Sequence, residues 1–302
     1  MTVTVLVPDD DGLAALSELP GVHAVRYKWG QPLPREAVQA EVLIPGAHRA
    51  TDELFDQLPN LRLIQLLSAG AEDWIGTVPD GVLLSTCRGA HGGSTAEWVI
   101  AALLSVYREL PSYTADQAAG RWQRRTSDTL QGKRILIVGA GDLGQQLRRR
   151  IEPFDTKVSM VGLSARDGVH AVSELRGLLG FHDVVVLMVP LTSRTRGMAD
   201  AGFFAAMQDG AILVNAARGA VVNTDALVEE LKLERIRAVL DVTDPEPLPE
   251  GHPLWTSPGA IVYPHIGGAV HGTRKRSYAV VAAEIARYAG GELPHNLVHG
   301  EY

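Results

Sequence analysis

The string RILIVGAGDLG carries an apolar run directly into Gly139, Gly141 and Gly144, and the helix-like stretch QQLRRRIEPF follows. Glycines at that spacing, set between a strand and a helix, are suited to hold a pyrophosphate. The first permits a tight turn, the second lets the phosphates approach the backbone, and the third lets the helix pack closely on the strand. Asp142 and Leu143 fall in the opening turn of that helix, where free N–H groups and the positive dipole end attract an anion. The spacing alone arises by chance in glycine-rich chains, and a purely structural turn is the other reading. The flanking strand and helix favour a dinucleotide.

Which dinucleotide depends on the end of the next strand. An acid roughly 20 residues beyond the glycines would bond to the ribose hydroxyls. The stretch VGLSARDG instead places Leu163, Ser164 and Arg166 there. A carboxylate would repel a 2′-phosphate, whereas a hydroxyl and a guanidinium would bind one. The residues therefore favour NADP, with NAD possible if Arg166 is only a solvated loop residue and Asp167 meets the ribose.

A second group could move a proton and hold an anion. Arg218 stands in ILVNAARGAVVNTDAL, Asp241 and Glu246 in AVLDVTDPEPLP, and His265 in PHIGGAV. An arginine stays charged and can grip a carboxylate with two hydrogen bonds while stabilising a growing oxyanion. A histidine exchanges protons near neutrality, and a neighbouring carboxylate favours the imidazolium form. Taken singly, each has a structural explanation. His265 could end a strand, Arg218 could be a surface charge, and Glu246 could sit in an exposed turn between Pro245 and Pro247. No cluster of His, Cys and Asp has ligand spacing, so no metal is expected.

Elements must position these residues. Strand-length apolar runs occur first at Val3–Val7, Val42–Ile44, Leu63–Leu67 and Leu83–Ser85. Later ones are Arg134–Val138, Lys157–Val161, Val184–Val189, Ala211–Asn215, Ala238–Val242 and Ile261–Tyr263. The later runs are apolar throughout, as in a parallel sheet covered on both faces. Their alternation with helical stretches predicts an α/β fold of two doubly wound, Rossmann-like parallel-sheet domains. Ser94–Glu109 reads as a helix capped by Ser94 or Thr95, Arg274–Tyr288 as another, and Ser112–Gly132 as polar and irregular. A length of 302 residues suits two domains. We expect residues 94–271 to form one domain, inserted into another made of 1–93 and 272–302.

Bulk properties narrow the function classes. The net charge of −7 comes without a long basic run, which argues against a nucleic-acid partner. No apolar run nears the roughly 20 residues that span a bilayer, so no membrane partner is expected. The apolar start of Thr2–Val7 ends at Pro8 and does not resemble a signal peptide. Cys87 is the single cysteine, which excludes an intrachain disulfide and suits a reducing compartment. A cytoplasmic protein is the expectation.

Together with LLSAGAEDW and VPLTSRTRGM, the strings above resemble the D-isomer-specific 2-hydroxyacid dehydrogenases, in that family's order, from about residue 40 to the C-terminus. The resemblance implies hydride transfer between NAD(P)H and a small 2-keto or D-2-hydroxy acid. It implies that Arg218 binds the substrate carboxylate and polarises the keto oxygen. His265 would be the general acid in reduction and the base in oxidation, Glu246 would pair with the imidazole, and Asp241 would lie near the nicotinamide. Thr95, Val189, Pro190 and Thr195 would line the cofactor, with Ala216 and Ala217 before Arg218 and Gly267 and Gly268 beyond His265. The inserted domain becomes the NAD(P)-binding one and the outer domain the substrate-binding one. Ser68, Ala69 and Gly70 follow a buried strand, where backbone N–H groups can form a nest for the substrate carboxylate; an ordinary strand-ending turn is the other reading. The resemblance also implies a homodimer, with Ser112–Gly132 and its Trp122 as the arm.

Two departures bear on cofactor and substrate. The ribose-binding acid is absent, and STCRGAHGG puts Cys87 or Arg88 where the family commonly has an asparagine. An added cation there could serve a second negative charge, as in phosphoglycerate, although an exposed arginine is the plainer reading. The chain ends soon after its closing helix, so the regulatory domain of some phosphoglycerate members is not expected. Hydroxypyruvate or glyoxylate is the leading expectation for the substrate. His252 and His271 are expected to be bystanders, while His91 and Arg274 could face the substrate. The alternative class is a non-catalytic dinucleotide-sensing protein of the co-repressor type, against which the Arg218, Glu246 and His265 set weighs. A short-chain dehydrogenase would need a Tyr-x-x-x-Lys pair, which the sequence lacks.

Overall fold

A computed structural model describes residues 2–46 and 52–300 of the chain. It divides into two compact units, Met1–His91 with His271–Tyr302, and Gly92–Val270. Each unit is built on one parallel sheet.

The first unit carries β1 (Val3–Val7), β2 (Val22–Arg26), β3 (Val42–Leu43), β4 (Leu63–Gln65) and β5 (Leu83–Ser85), in the order β2-β1-β3-β4-β5. Successive side chains point to opposite faces, so one apolar strand feeds two cores. Val3, Val5 and Val7 pack with Val42, Leu63 and the closing helix residues Tyr278, Val281 and Ile285. Leu6 instead joins Leu43, Ile64, Leu66 and Trp74. β2 was not among the expected strands: VHAVR interrupts its apolar pattern with His23 and Arg26, because an edge strand is only partly covered. The closing helix runs Thr273–Ala289, and the segment beyond it returns to β5, where Ser85 bridges Leu297 in antiparallel fashion.

The second unit holds β6 (Arg134–Val138), β7 (Lys157–Gly162), β8 (His170–Ala171), β9 (Val184–Leu187), β10 (Ile212–Asn215), β11 (Arg237–Leu240) and β12 (Ala260–Val262). Their order is β12-β11-β10-β9-β6-β7-β8. β9 and β10 are buried along their whole length, which explains their unbroken apolar character. One face packs with Phe203, Phe204 and Leu227, the other with Val99, Leu103, Leu147 and Ile151. The two-residue β8, pairing only with Val161 and Gly162, carries no apolar run that would announce it.

Two local expectations are corrected. The first long helix runs Gly92–Tyr107, so Ser94 and Thr95 lie inside its first turn and do not cap it. A Cβ on Gly92, at its start, would lie 2.3 Å from the Asp142 carboxylate and would displace that side chain. Part of the supposedly irregular stretch is a helix, Leu110–Ala118, entered through a left-handed Glu109 and a proline in the first turn. Its buried Asp116 accepts a hydrogen bond from Arg121 Nε at 2.9 Å and forms an ion pair with Arg125 at 2.6 Å, and so ties down the polar segment that follows. Among the described residues, no helix is long and apolar enough to cross a membrane.

Candidate active site

Strand order in the second unit reverses between β6 and β9, and in such sheets ligands bind beyond the carboxyl ends of the strands at that switch. Nearly every candidate of this unit lies beyond such an end. Gly139–Gly144 follow β6, Ser164 and Arg166 follow β7, and Val189, Pro190 and Thr195 follow β9. Ala216–Arg218 follow β10, Asp241 and Glu246 follow β11, and His265–Gly268 follow β12.

The three glycines of the first loop differ in what their missing side chains permit. Gly139 has a φ of +119°, and a Cβ there would lie 2.3 Å from the Met188 carbonyl oxygen. A Cβ on Gly144 would lie 1.9 Å from the Gly139 carbonyl oxygen. At Gly141 nothing stands within 4 Å of the corresponding position. Gly141 also heads the helix Asp142–Ile151 with no side-chain cap, so the first-turn N–H groups keep their capacity to bind an anion. Leu143 packs toward the core and Asp142 sends its carboxylate against Gly92. Both therefore offer the loop their backbone. This cradle of open space at a helix N-terminus fits a dinucleotide pyrophosphate.

Beyond β7, Ser164 and Asp167 are exposed, and Arg166 donates from Nη2 to the Ala140 carbonyl at 3.0 Å. The guanidinium is thereby held against the glycine loop. The Thr195 hydroxyl donates to the Pro190 carbonyl at 2.6 Å and accepts from the Thr192 N–H at 2.8 Å, closing the turn after Val189 and Pro190.

The other half of the edge is held by side chains. The His265 N–H donates to the Asp241 carbonyl at 2.8 Å, and His265 itself adopts a φ of +54°. Histidine is among the few residue types enriched in that left-handed region. The Asp241 carboxylate is 4% exposed and accepts from the N–H groups of Ile266 (2.7 Å) and Gly267 (3.0 Å). Burial raises its pKa above the ordinary carboxylate value, against the opposing pull of those N–H groups and of His265. Gly267 is required here, since a Cβ would meet Asp241 Oδ2 at 2.8 Å and the methyl of the buried Thr95 at 3.5 Å. Asp241, Gly267 and Thr95 are thus packed together.

From this strand end, the His265 imidazole donates through Nδ1 to Glu246 Oε1 at 2.8 Å. That bond occupies Nδ1, so Nε2 is the ring nitrogen able to exchange a proton with another group. The Glu246 loop is pinned by Thr243 Oγ1 donating to the Pro245 carbonyl (2.8 Å) and Thr224 Oγ1 donating to the Asp244 carbonyl (2.9 Å). Arg218 is half-buried and donates from Nη1 to the Ala217 carbonyl at 2.7 Å, with Ala216 and Ala217 buried before it.

In the first unit, Ser68, Ala69 and Gly70 form the turn after β4, where the Ser68 hydroxyl donates to the Gly70 carbonyl at 2.7 Å. Cys87 is buried with its thiol toward the Ser277 carbonyl, and burial pushes its pKa up to about 11. Arg88 donates to the Asn296 side chain (3.2 Å) and the His295 carbonyl (3.3 Å). Its guanidinium is thus bonded to the closing segment. Arg274 pairs with Asp9 and Asp11, the imidazole of His91 meets the Leu67 carbonyl at 3.1 Å, and His252 caps its own short turn.

Sequence reasoning missed Asn215, Gly219 and Thr243. A Cβ on Gly219 would lie 1.9 Å from the Thr243 carbonyl oxygen, so the Arg218 and Glu246 loops touch through backbone. The available signal was an amide ending the apolar run ILVN, a polar group that needs partners wherever the strand is buried.

Comparison with known proteins adds three observations. The family model described as "D-isomer specific 2-hydroxyacid dehydrogenase, NAD binding domain" matches residues 100–267. The chain is 30% identical to the glyoxylate reductase/hydroxypyruvate reductase of Mus musculus, over 95% of this chain and 94% of that one. It is 29% identical to the D-3-phosphoglycerate dehydrogenase of Methanocaldococcus jannaschii over 98% of its own length, spanning only 59% of that relative. Among solved structures, a D-isomer specific 2-hydroxyacid dehydrogenase from Xanthobacter autotrophicus Py2, in complex with NADPH and MES, superposes with a TM-score of 0.86 at 27% identity, covering 99% of this chain and 98% of that one.

Proposed function

The chain belongs to the D-isomer specific 2-hydroxyacid dehydrogenase family, as a nicotinamide-dependent oxidoreductase of 2-hydroxy and 2-keto acids, and from that premise we propose that it is an NADP-preferring reductase of glyoxylate or hydroxypyruvate. The carrying observation is the 2.8 Å hydrogen bond from His265 Nδ1 to Glu246 Oε1, set beyond the same sheet edge as Arg218. Gly139–Gly144 and the first turn of their helix would hold the pyrophosphate, and Ser164 and Arg166 a 2′-phosphate. Thr95, Val189, Pro190, Thr195, Ala216, Ala217, Asp241, Gly267 and Gly268 would line the remainder. When bound, the nicotinamide supplies the hydride that reaches the keto carbon. Arg218 grips the substrate carboxylate, and its charge stabilises the oxygen as it becomes an alkoxide. In the substrate-binding domain, backbone N–H groups at Ser68, Ala69 and Gly70 would form a nest for a carboxylate. His265 Nε2 delivers the proton to that oxygen and takes it back in oxidation. Glu246 holds the imidazole orientation through its hydrogen bond at Nδ1. Asp241 keeps the loop after His265 in place through two N–H bonds.

NADP preference is supported by Arg166 at the glycine loop and by the lack of an acid at the end of β7. The substrate assignment is supported by the mouse relative's name. A homodimeric, cytoplasmic protein belongs to the same reading, supported by the fully exposed Trp122 and the single buried thiol. A panel of 2-keto acids with NADPH and NADH, run on the wild type and Arg166→Ala, tests the proposal. We expect fastest turnover of glyoxylate or hydroxypyruvate with NADPH, and a loss of about tenfold in NADPH preference on removing the guanidinium. A wild-type preference for NADH would overturn the cofactor assignment, and no turnover of any keto acid would leave the non-catalytic sensor.

A further inference from the structure

Asn215 ends β10 with no solvent exposure, although its neighbours Ile212–Val214 are all apolar. Such a residue costs stability unless both ends of its amide are used, and here both are used within three residues. The carbonyl Oδ1 accepts from the Ala217 N–H at 3.1 Å, and Nδ2 donates to the Arg218 carbonyl at 3.0 Å. The amide thus spans the loop 215–218, holding the peptide that enters Ala217 and the peptide that leaves Arg218. The backbone of Asn215 is itself anchored, its carbonyl accepting from the Asp241 N–H at 3.0 Å. On the far side of Arg218, Gly219 rests against the Thr243 carbonyl. Arg218 is therefore held from both directions.

We infer that Asn215 is a positioning residue that aims Arg218 at the substrate carboxylate. The inference rests on the assignment of Arg218 as the carboxylate-binding residue. Asn215 touches no substrate and acts only through the direction in which the Arg218 Cα–Cβ bond leaves the backbone. A bidentate grip on a carboxylate tolerates little misdirection, because both N–H groups must align at once. The guanidinium already rests on the Ala217 carbonyl, whose own N–H is the one Asn215 accepts.

Asn215→Asp is nearly isosteric, keeps the acceptor for Ala217 and removes the donor to the Arg218 carbonyl. It should raise KM for the 2-keto acid by about tenfold and lower Tm, because an oxygen then faces the Arg218 carbonyl, with NADPH Kd within about twofold. Asn215→Ala, which removes both contacts, should raise KM further and lower Tm. Acting through Arg218, the Asn215→Asp change should add less than about twofold to KM in an Arg218→Ala background. A folded Asn215→Asp variant with wild-type KM would overturn the inference, as would an equal effect with and without Arg218. If Arg218→Ala itself keeps wild-type KM and kcat, the assignment of Arg218 fails and the inference with it. If Arg218→Ala is crippled while Asn215→Asp is not, the inference alone fails.

Discussion

Two halves of one sheet edge achieve their ends differently. On the β6–β7 side the chain presents backbone: N–H groups of a helix start, with Gly139 and Gly144 too close to backbone for a side chain and open space at Gly141. On the β10–β12 side it presents side chains, and each working group is oriented by a polar residue. Asn215 spans the Arg218 loop, Asp241 holds the residues after His265, and Glu246 meets the imidazole. Binding a diffuse pyrophosphate charge needs space and dipoles, which local sequence can supply. Moving one proton needs a nitrogen at a defined place, which three separate strand ends must supply together.

The largest test of this contrast is His265→Gln. It should lower kcat by about 10²–10⁴-fold while NADPH Kd stays near wild type, since the glycine half is untouched. Near-wild-type turnover would sink the proton-transfer assignment. Next comes a paired comparison within the glycine loop. Gly144→Ala forces a Cβ against the Gly139 carbonyl, and should cost about 1–3 kcal/mol of stability by overpacking, read as a lower Tm. Gly141→Ala fills open space instead, so Tm should hold while NADPH Kd rises about tenfold, by obstruction of the phosphates. Equal melting temperatures for the two variants would contradict the division of roles.

The smallest effect is expected at the opposite edge of the sheet. There Asp183 accepts from the Arg134 backbone N–H at 2.7 Å, the Arg134 guanidinium at 3.0 Å and Gln208 at 2.8 Å. Burial alone would raise its pKa, but these hydrogen bonds outweigh it and hold the carboxyl well below the usual range. A depressed folded-state pKa adds stability above the unfolded value, and that stability is lost as pH falls. Asp183→Asn should therefore lower stability at pH 7 by about 1–3 kcal/mol. The gap from wild type should narrow in acid denaturation below about pH 4, with kcat and KM within about twofold throughout. A kinetic defect at neutral pH would show that the two edges are not independent.

The sequence by itself determined the strands whose apolar runs are unbroken, such as β9 and β6 beyond Arg134, because burial on both faces favours apolar side chains at every position. It determined the glycine loop too, since a strand, a turn and a helix start are consecutive in the chain. Where burial is partial the pattern thins, and so the edge strand β2 and the helix Leu110–Ala118 were not legible. Arg218, Glu246 and His265 could be picked out as chemically able residues. That Glu246 pairs with His265, 19 residues away, was implied by the family resemblance, and the tertiary structure supplies the hydrogen bond. It alone decided that Arg88 serves the closing segment, that Asn215 spans the Arg218 loop and that Gly219 must be glycine. Each of these depends on which strand ends lie side by side, a fact set by the packing of parallel strands, and no single stretch of sequence contains it.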